Sequence, residues 1–233
     1  MNLVLTAAGK YERFRRFSYE IPKYLLPVKN RTMLHYVLKG FRDSIPDVSV
    51  TFVANKRDWR FAGAISAILD EMCIQWEIKW LDDTTGQAQT LLQATKGMRT
   101  NILVHNIDTI LLNRSRSNWE GTGADCILDV FESSNRDYSY VVDDDDRKAI
   151  LIREKSLIST KASSGCYWFS SGKTVERYVG RDTVYISEMI NKMIEGGLQD
   201  VRTTQLHRAC DTIVMGTPQE YLINMDSERL PAR

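Results

Sequence analysis

The apolar and polar positions of the chain change period at short intervals, and the changes mark alternating strands and helices. Leu3, Val4, Leu5 and Thr6 form a short, nearly continuous apolar run of the kind found in a strand buried on both faces. From 32 to 41 the period changes to helical, with Met33, Leu34, Val37, Leu38 and Phe41 on one face and Thr32 placed as the cap. Residues 48–54 predict a second strand, and 58–70, with Phe61, Ala64, Ile65, Ile68 and Leu69, the helix after it. Further strands are expected over 73–81, within 101–111 and over 124–131. Two β runs, 138–142 and 149–155, flank four consecutive aspartates and read as a hairpin. Residues 185–194 place Ile186, Met189, Ile190 and Met193 on one helical face before Gly196 and Gly197, and Pro218 opens a last helix. Strands and helices that alternate with short connections build a mainly parallel sheet with helices on both faces.

Composition narrows the picture. A chain of 233 residues, 43 % of them hydrophobic, can bury the core of one α/β domain. With 31 basic against 30 acidic residues the net charge is +1, so no global field draws the protein to nucleic acid or to an anionic membrane. Anion binding must come from local clusters, of which 10–16 is one. Cys73, Cys126, Cys166 and Cys210 are widely spaced, with no C-x-x-C pair. That usage suits reduced, buried thiols in a cytoplasmic protein better than a zinc site or a disulfide frame. No stretch reaches the ~18 to 20 apolar residues that a membrane span needs, and the N-terminus lacks the features of a secretory leader.

Candidate chemistry concentrates where apolar runs end. Ala7, Ala8 and Gly9 follow the first strand, and small residues there let a phosphate approach the backbone. Pro22 and Pro27 flank Lys23 and stiffen the segment that carries its ammonium. A second strand end carries Asp108, whose carboxylate suits either a Mg²⁺ ion shared with phosphates or a turn cap. His105 alternates inward and reads as a core histidine or as one packed behind the site residues, not as a base. The turn 82–86 enters a helix through Gly86 and Gln87, and on its residues alone is an ordinary capped start with Thr84 or Thr85 as the cap. Asp143, Asp144, Asp145 and Asp146 offer the only D-x-D spacing, and such runs at hairpin tips are usually solvated turn formers.

The order of these pieces resembles the nucleotide-diphospho-sugar transferase superfamily, and within it the sugar nucleotidyltransferases. Their N-terminal signature, roughly A-G-x-G-[ST]-R-F and then P-K-x-L-[IL]-x-V, is matched at Ala8, Gly9, Arg13, Phe14, Pro22, Lys23, Leu25, Leu26 and Val28. Glu154, Lys155, Ile158, Ser159, Ala162, Gly165, Tyr167 and Phe169 resemble a second element, and Gly216, Thr217, Pro218 and Glu220 a closing G-T-P-x-[DE]. The chain departs at Tyr11 and Glu12, where the signature has a glycine and a hydroxyl residue, and at Val214, where many relatives carry a second metal carboxylate. A bulky Tyr11 is expected to weaken the phosphate cradle that glycine permits.

The resemblance implies a Rossmann-like three-layer α/β/α fold, similar to glycosyltransferase type A, with a small β-hairpin extension. It implies a single domain over 1–233, with a nucleotide-binding half (1–112) and an acceptor-binding half (113–233). The implied reaction is transfer of a nucleoside monophosphate from a nucleoside triphosphate to a phosphorylated acceptor, with pyrophosphate release and Mg²⁺, as in surface-polysaccharide precursor synthesis. Arg13 and Lys23 would act on the phosphates, Ala7, Ala8, Gly9, Gly86 and Gln87 would hold the nucleotide, Glu154, Lys155 and Gly165 the acceptor, and Asp108 the metal. The alternative for Glu154 and Lys155 is a surface ion pair. Nucleic acid and membrane are not expected partners, whereas homo-oligomerisation is left open. Two other readings stand beside this one: a glycosyltransferase that uses the aspartate run, and a non-catalytic nucleotide-binding relative.

Overall fold

A computed structural model describes residues 1–72, 75–120, 123–197 and 199–231. Strand β1 (Asn2–Ala7) leads into the four-residue helix α1 (Glu12–Arg15), a 3-10 turn (Lys23–Leu25) and the short ribbon of β2 (Pro27–Val28) and β3 (Arg31–Thr32). Helix α2 (Met33–Ser44) starts where Thr32 Oγ1 accepts the His35 N–H at 3.3 Å, as the sequence predicts. Strand β4 (Ser49–Asn55), a 3-10 helix (Lys56–Phe61), helix α3 (Ala62–Glu71) and strand β5 (Gln75–Leu81) follow. The helix expected over 58–70 thus opens as a tighter turn, because Asn55 Oδ1 takes the Arg57 N–H and starts the helix two residues early. Cys73, the expected start of the next strand, lies outside the described residues.

Helix α4 (Gln87–Thr95) precedes β6 (Ile102–Asn106) and β7 (Thr109–Leu111). The apolar run within 101–111 is therefore two strands, and Ile107 and Asp108 form the turn between them. Strands β8 (Cys126–Glu132), β9 (Tyr140–Asp143), β10 (Ala149–Arg153) and β11 (Lys161–Phe169) make the second half of the sheet. Helices α5 (Gly172–Tyr178) and α6 (Ile186–Glu195), strands β12 (Val201–Thr203) and β13 (Thr212–Val214), and helix α7 (Pro218–Asn224) complete the fold.

The sheet runs β10-β9-β11-β6-β1-β4-β5, with β8 pairing both β11 and β12. Strands β6, β1, β4 and β5 are mutually parallel, with Leu3 opposite Val50 on one side and Leu103 on the other. Strand β11 joins antiparallel to β6, β8 and β9. Alternation along β1 sends Leu3 and Leu5 to one face, where they pack with Leu34, Val37 and Phe41 of α2. Val4 faces the other way, into a core shared with Leu91 of α4 and Met189, Ile190 and Met193 of α6. Two apolar layers on one sheet give three layers in all, and the parallel strands deliver their carboxyl ends to one crevice.

Two expectations need correction. Asp143 is not a solvated turn former: its side chain is 2 % exposed, pairs with Lys161 and accepts the Thr203 hydroxyl. Asp144, Asp145 and Asp146 are exposed, and Asp144 Oδ1 caps the turn by accepting the N–H groups of Asp146 and Lys148. The cysteines also differ among themselves, since Cys126 and Cys166 are buried thiols whereas Cys210 is exposed. Among the described residues no helix is long and apolar enough to cross a membrane.

Candidate active site

Two adjoining cavities of about 720 Å³ and 310 Å³ open at the carboxyl ends of β1 and β6. Ala7, Ala8, Gly9, Lys23 and Gly86 line the larger, and Arg13, Glu154, Lys155 and Gly165 the smaller. Gln87, Asn106, Asp108 and Tyr185 line both. All the site residues singled out from sequence therefore face this pair of cavities, although they are spread along the chain from Ala7 to Gly165.

Lys23 and Asp108 meet where the cavities join. The Lys23 Nζ donates to Asp108 Oδ2 at 2.5 Å, and each side chain is 18 % exposed. Burial pushes the Asp108 carboxyl up, but the charge and hydrogen bond of the Lys23 ammonium outweigh it and hold the group below the ordinary carboxylate range. The turn that carries Asp108 is fixed from behind: its carbonyl accepts the Met215 N–H at 2.8 Å, and His105 lies beneath it. Burial lowers the His105 pKa to about 4, so its ring is neutral and Nε2 donates to the Thr109 carbonyl at 2.7 Å. This is the core histidine expected from sequence.

One carboxylate here stands open to a divalent cation. A Cβ on Gly216 would lie 3.1 Å from Asp108 Oδ2, so the bare glycine keeps Asp108 accessible, whereas both oxygens of Glu220 are held by Tyr138 and Thr217. Among the described residues no group of three or more acidic, histidine or cysteine side chains could hold a metal. Asp108 would thus be the main protein ligand, an arrangement Mg²⁺ accepts when phosphates and water fill the remaining positions. Val214 brings no carboxylate to the site. Asp211 lies elsewhere, held by Arg208 at 3.0 Å and Asn113 at 2.6 Å.

The loop after β1 departs from expectation. Tyr11 takes the left-handed conformation (φ 35°, ψ 43°) that a glycine would otherwise supply at this turn. Its ring turns out of the loop and its hydroxyl donates to Asp58. Burial, then the hydrogen bond to Asp58, push the Tyr11 phenol up to about 12, so it stays a donor. Glu12 is the exposed first residue of α1.

Glycines shape the other walls by close approach. A Cβ on Gly86 would collide with the Val184 carbonyl, which also accepts the Ala88 N–H at 3.0 Å; this contact seats the start of α4 against the segment before α6. Neither Thr84 nor Thr85 caps that helix: Gly86 is the cap residue, and Thr84 Oγ1 instead donates to the Gly86 carbonyl at 3.2 Å. Gly165 has φ +80° at a bulge in β11, and a Cβ there would strike the Asn106 amide. Glu154 Oε2 accepts the hydroxyls of Ser139 and, at 3.0 Å, Ser187, so it is oriented by two serines and not by Lys155. The Lys155 Nζ lies 5.9 Å from the centroid of the Tyr185 ring.

Four further residues belong to this surface. Asn106 lines both cavities, and its Oδ1 is buried without a hydrogen-bond partner. Tyr138 donates to Glu220 Oε1 at 2.8 Å, and burial followed by the Glu220 charge raises its pKa. Tyr185 lies between the cavities. Asn106 is the last residue of β6, next to the turn that carries Asp108, and Glu220 closes the T-P-x-E capping box, a signal legible in the sequence. Tyr138 and Tyr185 carry no such signal. The four aspartates of the hairpin line neither cavity.

The chain is a three-layer α/β protein with a polar crevice at its parallel strand ends, divided in two about a Lys–Asp pair. Solved structures share that fold along the whole chain. A nucleoside-diphosphate-sugar pyrophosphorylase from Vibrio cholerae RC9 matches with a TM-score of 0.82 at 22 % identity, over 96 % of this chain and 99 % of that one. The inositol-1-phosphate CTP transferase from T. maritima matches at 0.78 and 12 % identity, over 94 % and 90 %. A UDP-glucose pyrophosphorylase solved with UDP-glucose matches at 0.77 and 13 % identity, over 96 % of each chain. No protein-family model matches the chain, and no curated protein does.

Proposed function

We propose that the protein is a Mg²⁺-dependent nucleotidyltransferase, which transfers a nucleoside monophosphate from a triphosphate to a phosphorylated acceptor such as a sugar 1-phosphate and releases pyrophosphate. The observation that carries this reading is the Lys23–Asp108 pair at the junction of two cavities, the larger suited to a nucleotide and the smaller to a phosphorylated polyol. The named activities of the fold neighbours agree with it. In this assignment residues 1–112 supply the nucleotide half and 113–233 the acceptor half. Preparation of precursors for a surface polysaccharide is the corresponding cellular role, in the cytoplasm.

The work of such a site is alignment and charge neutralisation. The open backbone at Ala7, Ala8 and Gly9 receives the triphosphate, and Gly86 and Gln87 face the nucleoside. In the smaller cavity Lys155 and Arg13 attract the acceptor phosphate, while Glu154, held by Ser139 and Ser187, accepts from an acceptor hydroxyl or amine. The acceptor phosphate oxygen attacks the α-phosphorus in line and pyrophosphate leaves. Lys23 lies beside the reacting phosphates and offsets the charge that develops there. A Mg²⁺ ion held by Asp108 supplies further neutralisation when bound.

The glycosyltransferase reading requires a D-x-D metal element at the crevice, and the aspartate run stands away from it. A panel of triphosphates tested against phosphorylated acceptors decides the matter. Pyrophosphate formed in step with a nucleoside diphosphate joined to the acceptor supports the proposal. Nucleoside diphosphate released from a sugar nucleotide supports the glycosyltransferase, and triphosphate binding with no turnover supports a non-catalytic relative.

A further inference from the structure

Residues Asn55, Arg57 and Asp58, at the carboxyl end of β4, stand behind the larger cavity, yet they bind three of the segments that form it. Asn55 Nδ2 donates to Asp83 Oδ1 at 2.9 Å, and Arg57 Nη1 donates to the same oxygen at 3.3 Å. Arg57 Nη2 donates to the Gly9 carbonyl, and its guanidinium carbon lies 4.8 Å from the centroid of the Tyr11 ring. Asp58 is 3 % exposed; its Oδ1 accepts the Tyr11 hydroxyl and its Oδ2 the Tyr24 hydroxyl at 3.4 Å. Tyr24 follows Lys23 in the same 3-10 turn. One guanidinium and one carboxylate thus tie together the loop after β1, the Lys23 turn and the loop before α4.

Satisfying buried polar groups accounts for some of these bonds. It does not account for where they act. Tyr11 sits in a backbone conformation that costs a non-glycine residue about 1 kcal/mol or more, and besides Arg15 of the adjoining helix, 5.3 Å from its ring, its side chain is held by the distant Asp58 and Arg57. The bond from Arg57 to the Gly9 carbonyl fixes a peptide plane inside the loop itself, and with it the opposite direction of the Lys10 N–H. A phosphate loop rich in glycine adopts its shape because its backbone is free to. Here side chains outside the cavity impose the shape on a loop whose sequence would not choose it.

We infer that Arg57 and Asp58 are positioning residues for the triphosphate: through Gly9, Tyr11 and Tyr24 they set the phosphate loop and the Lys23 turn that the nucleotide meets. The kinetic part of this inference rests on the nucleotidyl transfer proposed above, whereas the structural part does not.

Tyr11→Phe, Asp58→Asn, Arg57→Lys and Arg57→Ala test it by amide hydrogen exchange and by steady-state kinetics. In Tyr11→Phe and Asp58→Asn, exchange should quicken in residues 9–16 and 23–26 and stay unchanged in the rest of the sheet. The KM for the triphosphate should rise roughly tenfold, the loss of one charge-assisted hydrogen bond, while the acceptor KM moves less than about twofold. Arg57→Lys keeps the charge but cannot reach Gly9 and Asp83 together, so it should behave as Arg57→Ala does. Wild-type KM in Arg57→Lys would mean that charge alone matters and would overturn the inference. So would faster exchange spread over the whole molecule, or equal rises in both KM values. Should wild type release no pyrophosphate with any substrate, the proposed function fails and the exchange pattern still decides: quickening confined to those loops supports the positioning role, and its absence refutes it.

Discussion

Lys23→Met keeps most of the aliphatic stem of Lys23 and removes only its ammonium, so it isolates the pair at the centre of the site. At an effective dielectric near 20, two unit charges about 4 Å apart attract by about 4 kcal/mol. Desolvation returns much of that, because each side chain is only 18 % exposed. Exposed pairs contribute less than about 1 kcal/mol, and hydrogen bonds to charged groups about 1.5 to 3 kcal/mol. The coupling between Lys23→Met and Asp108→Asn in a double-mutant cycle should therefore be about 1.5 to 2.5 kcal/mol, measured by urea unfolding at pH 7. Acid gives an independent check. Asp108 is held below its unfolded value, so its contribution is complete above about pH 4, the ordinary range of an unfolded aspartate, and is lost as the pH falls through the lower folded value. In Lys23→Met, burial acts on Asp108 without its main counter-charge, and the sign reverses: that variant loses stability as pH rises through the carboxyl's new, higher pKa. A coupling below about 0.5 kcal/mol at pH 7 would show that the two groups are not a working pair, and the charge arrangement built on them would fall.

The same pair makes a prediction about metal. With its ammonium gone, Asp108 should bind Mn²⁺ more tightly in nucleotide-free protein, and electron paramagnetic resonance of Mn²⁺ titrated into Lys23→Met and wild type would detect the gain; no gain, or a loss, would remove Asp108 as the ligand. Gly165→Ala combines a positive φ with a collision at the Asn106 amide and should cost about 1 to 3 kcal/mol by thermal unfolding, together with a rise in acceptor KM. Arg114→Met leaves Asp129, fully buried, without the guanidinium that donates to it at 2.9 Å and 3.0 Å, and should cost about 3 to 5 kcal/mol; replacing both residues by apolar ones should cost less.

How much of this was legible depends on whether the signal is local. The strand–helix alternation is local, and Thr32, Thr217 and Pro218 mark their helix starts in the sequence as in the structure. The crevice follows from parallel strands ending together, so Gly9 and Asp108 could be placed there by their strands alone. The Lys23–Asp108 contact could not be foreseen, because 85 residues separate the two and no pattern encodes the turn that points one at the other. Tyr11 shows the same limit. Its residue type predicts a weakened phosphate cradle, and the Asp58 that its hydroxyl reaches lies 47 residues away, outside any local pattern. The strand β7 carries no local signal of its own because it is only three residues long, Thr109–Leu111, and leaves the main sheet to pair with β13. Asp143 was misjudged on composition: four aspartates in a row suggest solvent, but the first is the last residue of β9, and its side chain meets Lys161 and Thr203.

The central claim is that the bond broken lies between the α- and β-phosphorus of a triphosphate. Parallel reactions with α-labelled and γ-labelled nucleoside triphosphate, each with Mg²⁺ and a panel of sugar phosphates, test it directly. The account predicts that α-label enters a nucleoside diphosphate joined to the acceptor sugar, that γ-label appears in pyrophosphate, and that both signals vanish in Lys23→Ala at unchanged fold. Transfer of γ-label to the acceptor, its release as inorganic phosphate, or full turnover in Lys23→Ala would contradict the account.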